Sequence, residues 1–350
     1  METDTAPIRP DERFDEHRVA EYLRRHLPGM FGEDPIAFEQ FPGGKANLTY
    51  LARCGDVEVV LRRPPHGPVA PGSHDMRREH AVLSVLHRAY PAAPQAHHLC
   101  EDEAVMGKPF VVMERRRGWV IRDRWPAALP GDGPARRAVA EAAVDALAAL
   151  HRVDFEGLGL GSLGRPDGFV ARQVAGWADR WERARHDDVP AMDETAAALG
   201  EAVPTPDASV LLHNDFKLDN LMIGDRGEVA AVLDWDMATL GDPLVDLGTM
   251  LAYWSEPGDP IHDLPGVAGV TLSPQMNGDE VVERYAAATG FDVGGVRYYH
   301  ALAVFRVAVI VQQIYIRYLR GQTSDERFAP LGMLVPLLAD QALTLVGSAG

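Results

Sequence analysis

Leu211-Leu212-His213-Asn214-Asp215-Phe216-Lys217-Leu218-Asp219-Asn220-Leu221-Met222-Ile223 is the stretch whose reading decides the fold. An apolar run enters a polar loop and another apolar run leaves it, the pattern of two short strands joined by a loop rich in functional side chains. Downstream, Val229 to Leu233 reads as a further strand ending in Asp234-Trp235-Asp236, and helices resume at Pro243. Upstream, residues 134–151 and 168–186 carry helical apolar spacing, the latter with Trp177 and Trp181 one turn apart. Before residue 114 the texture changes. Ile36 to Phe41, Leu48 to Arg53, Val57 to Arg62 and Phe110 to Met113 read as strands, with helices over 15–27 and 75–89 and a loose polar lead-in over 1–14. The expected architecture is α+β: a β-rich N-terminal lobe over 1–113 and a mainly helical C-terminal lobe over 114–350.

Composition narrows the class. A chain of 350 residues with 46% hydrophobic and 24% charged residues is long enough to bury a core without metal or disulfide staples. The net charge of −17 argues against nucleic acid or an anionic membrane as partner, because both demand clustered Lys and Arg. Two cysteines without CxxC spacing and a start lacking basic and apolar signal regions point to a cytoplasmic protein. The greasiest run, Ala301 to Val311, is short and carries Arg306, which reads as a buried helix and not a membrane span.

Phosphoryl transfer requires little covalent work from a protein. It requires a carboxylate to orient the attacking hydroxyl and oxygen ligands that hold Mg²⁺ against the β and γ phosphates. His-x-Asp-x-x-x-x-Asn at 213–220 followed by a strand-end Asp at 234 supplies these groups at kinase catalytic-loop spacing. An Asp/Asn-rich turn is the bland alternative, disfavoured by two correctly spaced loops in one chain. With Leu233-Asp-Trp-Asp-Met-Ala-Thr-Leu-Gly-Asp-Pro-Leu-Val-Asp-Leu247, the pattern resembles the aminoglycoside-phosphotransferase-like family, which includes choline kinases and has a bilobal protein-kinase-like fold. Leu61-Arg-Arg-Pro-Pro65 and Arg165 to Gln173 are most similar to family kinase domains that can be fused to acyl-CoA dehydrogenases. The resemblance implies Asp215 as the base or hydroxyl-orienting residue and Asn220 and Asp234 as Mg²⁺ ligands. It also implies His213 as a brace of the loop and Asp246 as a carboxylate holding that loop from behind. Asp242 before Pro243 reads as a helix cap.

In the N-terminal lobe, Gly43-Gly44-Lys45 lies between two strands, where glycine lets backbone N–H groups approach phosphates. Ala46 replaces the family's frequent Ser. Arg62 stands where the kinase strand ends in a phosphate-pairing Lys, sharing a face with Val60, while Arg63 is expected to face solvent. Glu79 heads the helix expected to supply the ion-pair partner of Arg62, and Met113 and Glu114 resemble the hinge whose backbone meets adenine. His97-His98-Leu99-Cys100 lacks a second ligand pair at zinc spacing, so no zinc is expected. Arg115-Arg116-Arg117 reads as a solvated patch by default.

The resulting expectation is an ATP- and Mg²⁺-dependent kinase acting on a small-molecule hydroxyl acceptor, with a hydroxyacyl compound slightly favoured. An aminoglycoside-type antibiotic phosphotransferase is the alternative acceptor class. A protein kinase is favoured by Lys217 but opposed by Asp-Trp-Asp and by the short interval between Asp234 and Asp246. Ala46 and Arg62 suggest a third rival, a non-catalytic nucleotide-binding pseudokinase.

Overall fold

The computed structural model describes residues 4–42, 47–65, 74–122, 124–254, 256, 275–323 and 325–347. The expected phosphate loop at Gly43, Gly44 and Lys45 lies outside the described residues. The chain forms two compact units, one of Met1–Gly118 with Glu156–Leu160 and Ala230–Ala238, the other of Trp119–Phe155, Gly161–Val229 and Thr239–Gly350. The sequence placed the division after Met113. That residue lies inside a strand, and the first unit also takes in the segment bearing Asp234.

In the first unit, α1 (Glu16–His26) precedes β1 (Ala37–Gln40), β2 (Leu48–Cys54) and β3 (Val57–Arg63). Then come α2 (Met76–Leu86), β4 (Ala96–Cys100), the single turn α3 (Glu103–Met106) and β5 (Phe110–Glu114). The sheet order is β1-β2-β3-β5-β4, and every pairing is antiparallel. Alternation along β3 divides its side chains. Val59 and Leu61 join Tyr50, Ala52, Phe110 and Val112 in a core with Val19 and Leu23 of α1. Val60 and Arg62 take the opposite face. Arg63 therefore shares the core face, and the expectation that it meets solvent is corrected. It is 1% exposed and donates to the carbonyls of Met106 and Glu12 and to the Tyr50 hydroxyl.

The lead-in is likewise not loose over its described residues. Ala6 bridges Gln40, Ile8 is buried, and Phe14 packs edge-on against Phe38 and Tyr50. These contacts cover the core face of the sheet, which is why Arg63 is enclosed. The segment 230–238 is fixed in this unit by Val232 N–H donating to Ala92 O (2.8 Å), by Trp235 packed edge-on against Tyr90, and by Arg78 donating to Ala238 O (2.9 Å).

The second unit begins with β6 (Trp119–Val120), which pairs antiparallel with β8 (Leu221–Ile223), and contains α4 (Gly133–His151), α5 (Phe169–Ala184), α6 (Pro190–Glu201) and β7 (Val210–Leu212). After β9 (Val229–Val232), which carries the chain into the first unit, come β10 (Thr239–Gly241), α7 (Leu244–Ala252), α8 (Gly278–Thr289), α9 (Val296–Leu319) and α10 (Leu334–Gly347). The sequence reading missed β10, a strand of three residues that pairs antiparallel with β7. Two-stranded pairing of this length carries almost no periodic signal.

Helix α9 packs against α5, α6, α7 and α10. The apolar run expected to be short is part of this 24-residue helix. It and the segment Glu326–Gly347 are long and apolar enough to cross a membrane by length and composition. In α9, Tyr298, Leu302, Phe305, Val309 and Ile316 are buried against the protein. Gly248 permits close approach of α7 to α9, since a Cβ there would lie 2.5 Å from the Tyr299 carbonyl group.

Candidate active site

The loop after β7 is built around a buried carboxylate. Asp246, in the first turn of α7, is 0% exposed and accepts the backbone N–H groups of His213 and Asn214, each at 2.7 Å. His151, the last residue of α4, places Nε2 3.3 Å from the same carboxylate, and its Nδ1 lies 2.6 Å from the Tyr285 hydroxyl. Burial of an ionised carboxylate is costly unless its lone pairs are satisfied, and here two backbone donors and an imidazole satisfy them. Asn214 occupies the left-handed region at φ 65°, and Arg306 of α9 donates to its carbonyl at 2.8 Å. This side-chain and helix scaffold fixes the loop just ahead of Asp215.

Asp215 itself is partly accessible. Its carboxylate receives Lys217 Nζ at 3.0 Å and Asn220 Nδ2 at 3.0 Å, and its backbone oxygen receives Asn220 Nδ2 at 2.8 Å. The amide nitrogen of Asn220 is thereby committed to Asp215, which leaves the amide oxygen as the group suited to a hard cation. His213 does not present a reacting group outward: its Nδ1 accepts the Asp215 N–H at 3.3 Å, and the ring is fully buried edge-on against Phe216. Burial pulls the Lys217 ammonium down, but Tyr253 and Asp215 outweigh it and its pKa is raised. The Tyr253 ring lies 4.8 Å beneath that ammonium.

The first unit contributes a second constellation. Arg62 donates through Nη1 to Glu79 at 2.8 Å and through Nη2 to Asp234. A guanidinium fork spans two carboxylates in a way a Lys ammonium does not. Asp234 sits at φ 71°, an uncommon conformation for a side chain with a Cβ. Three carboxylates, Glu79, Asp234 and Asp236, act on the single Arg62 guanidinium, and the protonation of Glu79 and Asp236 reflects the imbalance. Burial pushes Glu79 up to about 7 despite Arg62, with Asp234 and Asp236 adding to the rise. Burial and the Asp234 charge also raise Asp236. Burial disfavours the charge of Arg62, but Asp234 and Glu79 overcome it and raise its pKa. Among the described residues, Arg62 Nε and Glu79 Oε2 are buried without a hydrogen-bond partner.

The remaining expected residues fall as follows. Met113 is buried in β5, and the Glu114 N–H donates to Gln95 O at 2.8 Å, so this expected hinge donor is engaged by the residue preceding β4. The arginine patch is not free-standing. Arg115 pairs with Asp4 and stacks on Phe41, Arg116 pairs with Glu114 at 3.0 Å, and Arg117 with Glu58 at 2.6 Å. Asp242 accepts Leu244 N–H at 2.9 Å and the Tyr299 hydroxyl, so it caps the entry to α7 from one residue further out than expected. Trp181 is core, its Nε1 donating to Asp193 at 2.9 Å, whereas Trp177 lines a small cavity with Asn214, Thr249, Tyr299 and Arg306. Sequence reasoning gave no role to His151, Tyr285, Arg306, Asn47 or His74. Their partners lie far away in the chain, and no local spacing signals them.

Mg²⁺ takes oxygen ligands and is bound by one or two carboxylates together with substrate phosphates. Asn220 in the second unit and Asp234 in the first each offer an oxygen donor of that kind, and the excess of carboxylates around Arg62 suits added positive charge. Among the described residues no group of three or more His, Cys, Asp or Glu is placed to hold a metal without further ligands.

Comparison with known proteins accords with these features. The model of a phosphotransferase enzyme family matches residues 37–302. Acyl-CoA dehydrogenase family member 11 of Gallus gallus is 34% identical over 99% of this chain and 45% of its own length, so the chain spans about half the length of that relative. A crystal structure named for an aminoglycoside phosphotransferase from Ralstonia eutropha JMP134 superposes with a TM-score of 0.80 at 30% identity, covering 96% of this chain and 99% of that one. An aminoglycoside phosphotransferase in ternary complex with ADP and hygromycin B shares the fold, with a TM-score of 0.59 at 15% identity over 93% of this chain and 98% of that one. With a family match over most of its length and a β-rich unit followed by a mainly helical one, the chain belongs to the phosphotransferase enzyme family.

Proposed function

We propose that the protein transfers the γ-phosphoryl group of ATP to the hydroxyl of a small molecule in a Mg²⁺-dependent reaction, with a hydroxyacyl compound as the favoured acceptor. The observation carrying this reading is the held but accessible carboxylate of Asp215, with Lys217 and Asn220 within 3.0 Å. In this reading Asp215 aligns the acceptor hydroxyl and takes up its proton. Lys217 tempers the carboxylate's charge, and Arg62 grips the phosphates in place of the usual lysine. Asn220 and Asp234 would hold Mg²⁺, which when bound neutralises charge on the triphosphate. Catalysis then rests on positioning and charge stabilisation, without a covalent enzyme intermediate.

The nucleotide is supported by the solved relative carrying ADP, and the small-molecule acceptor by its hygromycin B. The hydroxyacyl preference is supported by the relatives named acyl-CoA dehydrogenase. Two buried free thiols, Cys54 and Cys100, support a reducing, cytoplasmic setting. An ATP-consumption screen over hydroxy acids, hydroxyacyl-CoA thioesters, aminoglycosides and choline-like amines, followed by mass analysis of the product, tests the reading. A phosphorylated hydroxyacyl product is expected. A phosphorylated aminoglycoside alone would overturn the acceptor class, and phosphate release without any phosphorylated acceptor would overturn the function.

A further inference from the structure

The mechanism uses Asp234 and leaves unexplained why Asp236 is buried two residues beyond it. Asp236 is 6% exposed, and Asn47, itself 4% exposed, donates Nδ2 to its Oδ2 at 3.1 Å. The other end of the Asn47 amide is also fixed, with Oδ1 lying 2.9 Å from His74 Nδ1. Because Nδ2 is committed to a carboxylate, Oδ1 must accept, and His74 must carry its proton on Nδ1 in this contact. His74 holds this position at φ 58°, in the left-handed region, with Nδ1 3.7 Å from Asp236 Oδ2. Strained backbone persists only where neighbours over-determine it. Two such residues, His74 and Asp234, stand near the two ends of this hydrogen-bonded chain. Three segments remote in sequence, at residues 47, 74 and 236, thus meet in one buried polar network within the first unit.

We propose that Asn47, backed by His74, is a positioning residue that holds the Asp236 carboxylate, and through it the left-handed Asp234, in the arrangement that receives the divalent cation. The inference rests on the Mg²⁺-dependent reading above. Its chemistry is that of partners behind a ligand: they do not touch the ion, yet they fix the group that does, and their loss costs about 10–100-fold in metal affinity. Neither residue offers a better explanation as mere packing. An apolar side chain at position 47 would fill the same space but leave the buried Asp236 oxygen without its donor.

The test is calorimetric titration of ADP with and without Mg²⁺, in wild type, Asn47→Ala, Asp236→Asn and the double variant. Wild type is expected to bind ADP more tightly with Mg²⁺ than in EDTA. Asn47→Ala is expected to lose about tenfold or more of that enhancement, with ADP affinity in EDTA unchanged. If Asn47 acts through Asp236, the double variant loses no more than Asp236→Asn alone. A purely structural role would instead weaken ADP equally in both conditions. His74→Ala, at the more accessible end of the network, provides a second variant should Asn47→Ala fail to fold, and is expected to lose a smaller part of the enhancement. An Mg²⁺ enhancement retained in Asn47→Ala or in His74→Ala, or additive losses in the double variant, would overturn the inference alone. A wild type with no Mg²⁺ enhancement would overturn the inference together with the reading beneath it.

Discussion

Arg62 shows how a single substitution relative to the kinase pattern reshapes its surroundings. Its guanidinium joins Glu79 to Asp234, and Glu79 is fully buried. Removing one member of such a pair leaves the other charge stranded, at a cost of about 3–5 kcal/mol. Arg62→Ala is therefore expected to lower stability by that amount in urea unfolding, and Arg62→Lys by clearly less. An Arg62→Ala protein as stable as wild type would contradict the pairing. The partnership of Arg62 with Glu79 was expected from the resemblance of this strand and the following helix to the kinase pattern, with alternation giving only the face of Arg62. Its grip on Asp234 was not, because that contact joins positions 172 residues apart. Arg63 was misread for a related reason. Alternation assigns it to a face, but only the tertiary path of residues 4–14 decides whether that face meets water. Lys217 was noticed for its type alone, and its ion pair with Asp215 emerges only when the loop is folded.

Among the elements, the α7–α9 contact is the most constrained. A methyl group at Gly248 would collide with backbone of α9, which cannot rotate away, so Gly248→Ala is expected to cost about 1–3 kcal/mol through overpacking. Chemical denaturation checks this, and an unchanged midpoint would mean that the helices are not so closely apposed. One residue further along α9, burial lowers the His300 pKa to about 4 from 6.5. Between those values the unfolded chain binds a proton that the native imidazole does not, so this residue makes stability fall as pH drops from about 6.5 to about 4. His300→Gln is expected to flatten that acid loss relative to wild type. Parallel stability profiles for the two proteins across this window would refute it. The long helices and the strands of the first unit were readable because each buries one face and repeats its apolar spacing. β10 and the single-turn α3 were not, being too short for any period to register.

Across the whole molecule, the loop at 213–220 and the strand-end carboxylate at 234 pointed to phosphoryl transfer from sequence, since their spacing is set by local turns. What spacing does not contain is the support: His151 and Tyr285 behind Asp246, Arg306 over the Asn214 carbonyl, and Asn47 behind Asp236. His151, Tyr285 and Arg306 come from three separate helices and Asn47 stands just before β2, so each reaches its own partner only through the fold. The net charge of −17 argued against polyanionic partners and said little about the acceptor, because it does not locate charge within a site. Surface charge and site charge are independent quantities in a protein of this size.

The most direct measurement is phosphoryl transfer from labelled ATP to the acceptor identified by screening, compared among wild type, Asp215→Ala and Asp234→Ala, with Mg·ADP affinity measured on the same samples. Asp215→Ala is expected to lose about 10²–10⁴-fold in turnover while keeping its nucleotide affinity, whereas Asp234→Ala loses both turnover and Mg·ADP binding. Transfer that survives both substitutions at wild-type rate would contradict the account.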